Sequence, residues 1–305
     1  MASHPPLSVS TVAYDGYGLD RACESLARLG ATHIEPAFLT AFDSEGIAPD
    51  FSQAGAATAA SVIAGSGMAC QAMTMAFDLG ALRAAPTMLK RMEFARRVGA
   101  QIVNVPAPPR RRERAFLANL EAIVRQASSI GVRLGLENPG DGVASVMDTA
   151  ADAATLVERF GSDSVGVNYD LGNRATHAPD QDPVRDAVEA LPYCISVHLK
   201  DLRRTPQGWF FTAIGQGEID CTGLLDAIRA RASPPPVTIE LPLRLHRRPD
   251  ATLSRARYRA PLADIEAAID VSLRFVRERP GAITPAARAR LNSHLHPWRN
   301  IPCPT

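Results

Sequence analysis

The chain has 305 residues, 46% of them hydrophobic and 21% charged, which is enough apolar mass for a substantial core and excludes a disordered or fibrous polypeptide. A formal net charge of +1 gives no general attraction to nucleic acid or to an acidic membrane surface. Five scattered cysteines, odd in number and without CxxC spacing, exclude a disulfide framework and a zinc knuckle. The opening MASHPPLSVSTVAYDG has no basic segment followed by an apolar one, and the apolar stretch from Ser61 to Leu82 is broken by Gly65, Gly67, Gln71 and Asp78. These features predict a soluble, cytoplasmic protein that neither spans nor binds a membrane.

In chain order, short β-rich runs alternate with amphipathic segments. LSVSTVAY (7–14) precedes a helical pattern through Leu19, Ala22, Cys23, Leu26 and Leu29, and Gly30 leads into THIEPAF (32–38). A helix rich in small residues over 52–65, the strand CQAMTMAF and a helix over 83–98 follow. QIVNVPAP is the fourth strand, before a helix marked by Phe116, Leu120, Ile123, Val124 and Ala127. VRLGLEN is the fifth, with a helix through Ala153, Leu156, Val157 and Phe160. VGVNYD, CISVHLKD and VTIELP are the sixth to eighth, and Ile265, Ala268, Ile269, Leu273 and Val276 mark the closing helix. Eight strands alternating with helices predict a single-domain (β/α)8 TIM barrel over residues 1–279. Residues 280–305, rich in proline, are expected to form a tail packed outside the barrel or on a partner in a homo-oligomer. A doubly wound sheet is the alternative, but no Gly-x-Gly-x-x-Gly turn follows the first strand.

Four successive strands end in a group able to bind a metal: Glu137, Asp170, His198 and Glu240. Each follows an apolar run that would bury an isolated charge at high cost. In a barrel, strand ends meet at one mouth, so the four predict one site for a divalent ion, Mn2+ first, with Mg2+, Co2+ or Zn2+ as alternatives. Glu35 at the end of the second strand is a candidate for a substrate hydroxyl, with a structural salt bridge as the rival; Asn104 on the fourth strand has similar standing. Lys200 shares strand parity with His198 and is expected to face the mouth.

The segments ENPG, YDLGN, VHLKD, IGQGEIDCTGLLDAI and TIELP resemble those of the xylose isomerase-like TIM barrels, which include sugar phosphate isomerases and epimerases. The ligand order Glu, Asp, His, Glu resembles the ketose 3-epimerases of the D-tagatose and D-psicose type. That resemblance implies Glu137, Asp170, His198 and Glu240 as the metal ligands, Glu137 and Glu240 as the acid/base pair, and Arg204, six residues beyond His198, as a holder of a substrate oxygen. Two positions depart from the epimerase pattern. Asn173 stands where a histidine is expected, keeping the ability to donate to a substrate oxygen but not to relay protons as well. Val143 stands where a second glutamate is expected. VHLKD also resembles the inosose dehydratase and hydroxypyruvate isomerase branches.

The expected function is a metal-dependent isomerase or epimerase acting on a small carbohydrate, a sugar acid or a polyol ketone through a metal-stabilised ene-diolate. A lyase of the inosose dehydratase type and a non-catalytic metal-containing subunit are the alternatives. An enzyme like endonuclease IV would need a longer histidine set and a basic groove, so no nucleic acid partner is expected. The arginine-dense segment 243–259 is expected to be a solvated loop or an oligomer contact, with binding of a substrate phosphate or carboxylate as the alternative, and Arg204 rather than Arg247 is expected to meet an unphosphorylated substrate.

Overall fold

The computed structural model describes residues 6–38, 50–161 and 163–278; the expected tail at 280–305 lies outside them. The barrel is built from β1 (Leu7–Ser10), β2 (His33–Glu35) with β3 (Ala37–Phe38), β4 (Ala69–Cys70) with β5 (Ala72–Met75), β6 (Ile102–Pro106), β7 (Arg133–Glu137), β8 (Val165–Asp170), β9 (Cys194–Leu199) and β12 (Val237–Ile239). All pairings are parallel. The order β3-β5-β6-β7-β8-β9-β12-β1-β2-β4 closes on itself, because β2 and β3 are two pieces of one barrel strand and β4 and β5 two pieces of the next. Pro36 divides the first of these, having no N–H to give the ladder, yet its carbonyl still accepts from Thr74 N at 3.0 Å. The first strand is shorter than expected: Ser10 Oγ accepts from Val12 N at 3.3 Å and turns residues 11–14 into a 3-10 helix.

The outer ring consists of α1 (Leu19–Arg28), α2 (Gln53–Gly65), α3 (Ala85–Val98), α4 (Glu113–Ile130), α5 (Ala150–Phe160), α6 (Leu171–His177), α7 (Pro183–Ala190), α8 (Cys221–Arg229) and α9 (Leu262–Arg277). Outward strand residues such as Val103, Leu134, Leu136, Val167, Val197 and Ile239 are buried against these helices. No helix among the described residues is long and apolar enough to cross a membrane.

The barrel interior changes character from bottom to mouth. Ala72, Ile102 and Ile195 form a small apolar plug. Ile195 reaches it because the β8–β9 pairing skips from Val167 opposite Cys194 to Asn168 opposite Ser196, a bulge that leaves one extra residue on β9. Gly166 makes room: a Cβ there would stand 2.3 Å from the Ile195 side chain. Above the plug, Ser196 Oγ lies 3.0 Å from Asn104 Oδ1 and 2.8 Å from Asn168 Oδ1, all fully or nearly fully buried. Asn104 therefore belongs to the interior and not to the mouth. Higher still the barrel presents its ionisable groups.

A second, four-stranded antiparallel sheet stands at the mouth, where a loop was expected. It comprises β10 (Asp201–Thr205), β11 (Gly208–Thr212), β13 (Leu245–Arg247) and β14 (Leu253–Arg255), ordered β10-β11-β13-β14. Its buried face is Leu202, Trp209, Phe211, Leu245 and Ala251. Asp201, at the start of β10, fastens the segment that leads from β11 to α8, accepting from the backbone N–H of Gly215 (2.9 Å), Gly217 (2.8 Å), Ile219 (3.2 Å) and Leu202 (2.9 Å). Burial is the main reason its carboxyl titrates above the usual range, with these four donors opposing the shift.

Candidate metal centre at the barrel mouth

The four expected ligands come together. Glu137, Asp170, His198 and Glu240 are all buried and can each offer a donor atom within 4.8 Å of the others. They sit on the consecutive barrel strands β7, β8, β9 and β12, with Asp170 opposite His198 in the register. His198 Nδ1 lies 3.2 Å from Glu137 Oε1, 3.2 Å from Glu240 Oε2 and 3.9 Å from Asp170 Oδ2, so this nitrogen is the one facing the cluster.

Its other nitrogen faces Glu35. His198 Nε2 lies 2.8 Å from Glu35 Oε1, which also accepts from Thr74 Oγ1 at 2.5 Å, while Oε2 accepts from Thr238 Oγ1 at 2.6 Å. Glu35 and His198 are wholly shielded from solvent. This corrects the expectation of a substrate contact: Glu35 stands behind the histidine, with both carboxylate oxygens engaged. A carboxylate taking one imidazole N–H fixes the tautomer that leaves the opposite nitrogen free to bind a cation.

Asp170 is positioned by its backbone. Asn138 Oδ1 accepts from Asp170 N at 2.7 Å and Asn138 Nδ2 donates to Asp170 O at 2.9 Å. Asp170 also caps α6, accepting from Asn173 N at 2.8 Å. Lys200 Nζ, on the same side of β9 as His198, lies 2.5 Å from Asp170 Oδ2, 2.6 Å from Glu240 Oε2 and 5.4 Å from the centre of the Phe211 ring. Gly172 leaves space for it, since a Cβ there would come within 2.7 Å of the lysine stem.

The electrostatics describe anions competing for too few cations. Burial disfavours the charged imidazolium, yet Glu35, Glu240 and the contact with Glu137 outweigh it and carry the His198 pKa well above the usual range. Burial likewise opposes ionisation of Glu35, but His198 and the two threonine hydroxyls hold its carboxyl below the ordinary value. Asp170 is pushed up to about 8, by burial first and then by the negative charges of Glu240 and Glu137, against the pull of Lys200. Glu240 goes the other way: Lys200 and His198 overcome its burial. Only so many carboxylates can stay ionised here without further positive charge.

A divalent cation fits this set. Glu240 Oε2 is buried and, despite its short approaches to Lys200 and His198, forms no contact of hydrogen-bond geometry. Three carboxylates and an imidazole nitrogen, their donor atoms within 4.8 Å of one another, form a set suited to Mn2+, Mg2+, Co2+ or Zn2+.

The expected substrate contacts divide. Asn173 borders the cluster, its Nδ2 lying 3.4 Å from Glu137 Oε1 and 3.2 Å from Asn138 O. Arg204 does not reach it. The side chain is exposed on β10 and stacks over Trp209, 5.6 Å from the ring centre. Arg204, Trp209 and Arg247 stand opposite one another on the same face of the mouth sheet, but Arg204 lies on the edge strand and is exposed, whereas Arg247 of β13 is buried beside Asn173, with Nη2 3.4 Å from Asn173 Oδ1. Nor is the segment 243–259 simply solvated. Arg255 pairs with Asp15 at 2.6 Å, and Arg244 lies 3.5 Å from the same carboxylate and donates to the carbonyls of Ala256 and Arg257. Sequence reasoning missed Asn138, Gly140 and the inward place of Arg247; the alternation Leu245, His246, Arg247 was the signal available for the last.

A family profile of the xylose isomerase-like TIM barrel matches residues 23–274, and the chain belongs to that family. Among solved structures, a xylose isomerase-like TIM barrel/4-hydroxyphenylpyruvate dioxygenase fusion protein superposes with a TM-score of 0.69 at 18% identity, over 95% of this chain but only 44% of the fusion protein. A D-psicose 3-epimerase determined with D-fructose gives 0.68 at 16% identity, over 90% of this chain and 99% of the epimerase. The IOLI protein with a bound zinc atom gives 0.65 at 16% identity, over 90% and 99%. At these identities the likeness establishes the fold. No curated protein matches the chain in sequence.

Proposed function

We propose that the chain is a divalent-metal-dependent isomerase or epimerase of a sugar, a sugar acid or a polyol ketone. The observation that carries this reading is the pairing of Glu137 and Glu240 with His198 and Asp170 around one point at the barrel mouth. Glu137, Asp170, His198 and Glu240 would hold the ion, for which manganese is the first candidate, and Glu35 would hold His198 in the binding tautomer. When bound, the ion supplies Lewis acidity that weakens the C–H bond beside a substrate carbonyl.

The residues supply the rest. Glu137 and Glu240 enter from barrel strands five and eight, on either side of His198. One takes the proton from the carbon beside the carbonyl and the other returns a proton, to the opposite face for epimerisation or to the neighbouring carbon for isomerisation. Lys200, between Asp170 and Glu240, keeps Glu240 ionised and hence able to accept a proton. Asn173 offers its amide to a substrate oxygen. The fold relatives include a D-psicose 3-epimerase and a zinc-carrying protein, which supports the class of chemistry.

The test is exchange. Metal-loaded protein incubated with a panel of ketoses in D2O is expected to place deuterium on the carbon beside the carbonyl, and Glu137→Gln or Glu240→Gln, with metal content confirmed, to slow this by at least about 100-fold. Normal exchange in both metal-retaining variants removes the glutamates from proton transfer. Loss of water from the substrate instead of exchange assigns the chain to the lyases.

A further inference from the structure

Among the described residues, Arg247 is a buried cation with no carboxylate in hydrogen-bond or ion-pair contact. It is only 9% exposed. Nη1 donates to the Ala251 carbonyl at 3.0 Å and Nη2 to Asn173 Oδ1 at 3.4 Å, while Nε has no partner among those residues. Both acceptors are uncharged. A guanidinium withdrawn from water ordinarily meets an anion, because its donors are costly to bury unpaired.

The surroundings aim this side chain at the metal centre. Asn173 Oδ1, which receives Arg247, also lies 3.4 Å from Lys200 Nζ, and Asn173 Nδ2 reaches Glu137. One amide thus separates the guanidinium from the ligand cluster. Gly140 keeps the space open: a Cβ there would stand 2.6 Å from Arg247 Nη2 and 2.8 Å from Asn173 Oδ1. The ENPG segment thereby serves three groups, supplying Glu137, clamping Asp170 through Asn138, and clearing a place for Arg247.

We propose that Arg247 is a specificity-determining residue that receives a carboxylate of the substrate, so that the chain acts on a sugar acid or another carboxylated polyol ketone whose carbonyl end lies at the four-ligand cluster. This rests on the function proposed above and narrows it. The Nε–H and Nη2 edge of a guanidinium presents two parallel donors, a spacing that matches the two oxygens of a carboxylate and that one hydroxyl cannot fill. The Nε position is the unused half of that fork. Arg204 shares this face of the mouth sheet but is exposed on its edge strand, with Trp209 standing between it and Arg247.

The experiment compares D-fructuronate, D-fructose and D-fructose 6-phosphate, three 2-ketoses that differ at the far end, by calorimetric titration of the metal-loaded full chain. Wild type is expected to bind the carboxylated probe at least about tenfold more tightly than fructose. Arg247→Met removes that preference and leaves fructose affinity within about threefold. Arg247→Lys restores part of it, since charge returns without the fork. Melting temperatures of all three proteins verify folding. Equal affinity for acid and neutral probes in wild type, or an equal loss of both in Arg247→Met, makes Arg247 a packing residue and overturns the assignment. A preference for the phosphorylated probe that depends on Arg247 overturns the carboxylate. Because binding is read, failure here is distinct from failure of deuterium exchange, which tests the underlying reading.

Discussion

Glu35→Gln is the most informative perturbation of the metal centre, because it keeps shape and removes only charge. Glu35 is wholly buried, and its oxygens accept from His198 Nε2, Thr74 Oγ1 and Thr238 Oγ1 at 2.8, 2.5 and 2.6 Å. A glutamine retains one oxygen for His198 and Thr74, and its amide can donate to Thr238 once that hydroxyl rotates, so no buried group need lose its partner. What disappears is the anion that makes His198 a stronger ligand and fixes its Nδ1 toward the cluster. Replacing such an outer partner weakens metal binding by about 10- to 100-fold, or about 1.4 to 2.8 kcal/mol. Calorimetric titration of chelator-treated protein with Mn2+ measures the effect, with the melting temperature of the metal-free variant as control. Glu35→Ala should cost stability as well, about 1 to 3 kcal/mol for each donor left unpaired. A Glu35→Gln dissociation constant within threefold of wild type would refute the orienting role.

Lys200→Met is expected to destabilise metal-free protein more than metal-loaded protein, since the lysine is the neighbour of both Asp170 and Glu240 when no ion is bound. Leaving a buried charge unpaired costs about 3 kcal/mol, and thermal melts with and without Mn2+ should show the larger drop in the chelated sample. An equal drop in both contradicts the compensation. Asp201→Ala removes the acceptor of four backbone N–H groups, three of them in the segment that leads from β11 to α8, with an expected loss of about 3 kcal/mol in urea unfolding. Asp201→Asn should recover part of it, and a neutral Asp201→Ala would show that water satisfies those donors.

The four-residue cluster was legible because each member closes an apolar run, and a barrel brings the ends of its strands together however far apart they lie in sequence. The partner of His198 was not. Glu35 is 163 positions away and meets the histidine across the barrel interior, a relation that exists only after closure. The bulge at Ile195 was equally hidden, since the alternation of Ser196, His198 and Lys200 reads the same with or without it. The mouth sheet was masked by its own charge: six arginines between 244 and 259 look like a solvated loop, whereas Arg244 and Arg255 turn toward Asp15 and Arg247 turns inward. The offset of Arg204 from His198 gives distance along the chain, but not that β10 is the edge of the mouth sheet, where the side chain is exposed on the face it shares with Trp209 and Arg247.

The central claim is that Glu137, Asp170, His198 and Glu240 form one divalent metal site, and titration of chelator-treated protein with Mn2+, followed through the loss of the free-ion paramagnetic resonance signal, tests it most directly. The account predicts one ion per chain in wild type and loss of at least about 100-fold in affinity in His198→Ala and Asp170→Asn, each of which removes a donor from the set. Absence of binding in wild type, or binding that survives unchanged in both variants, would contradict it.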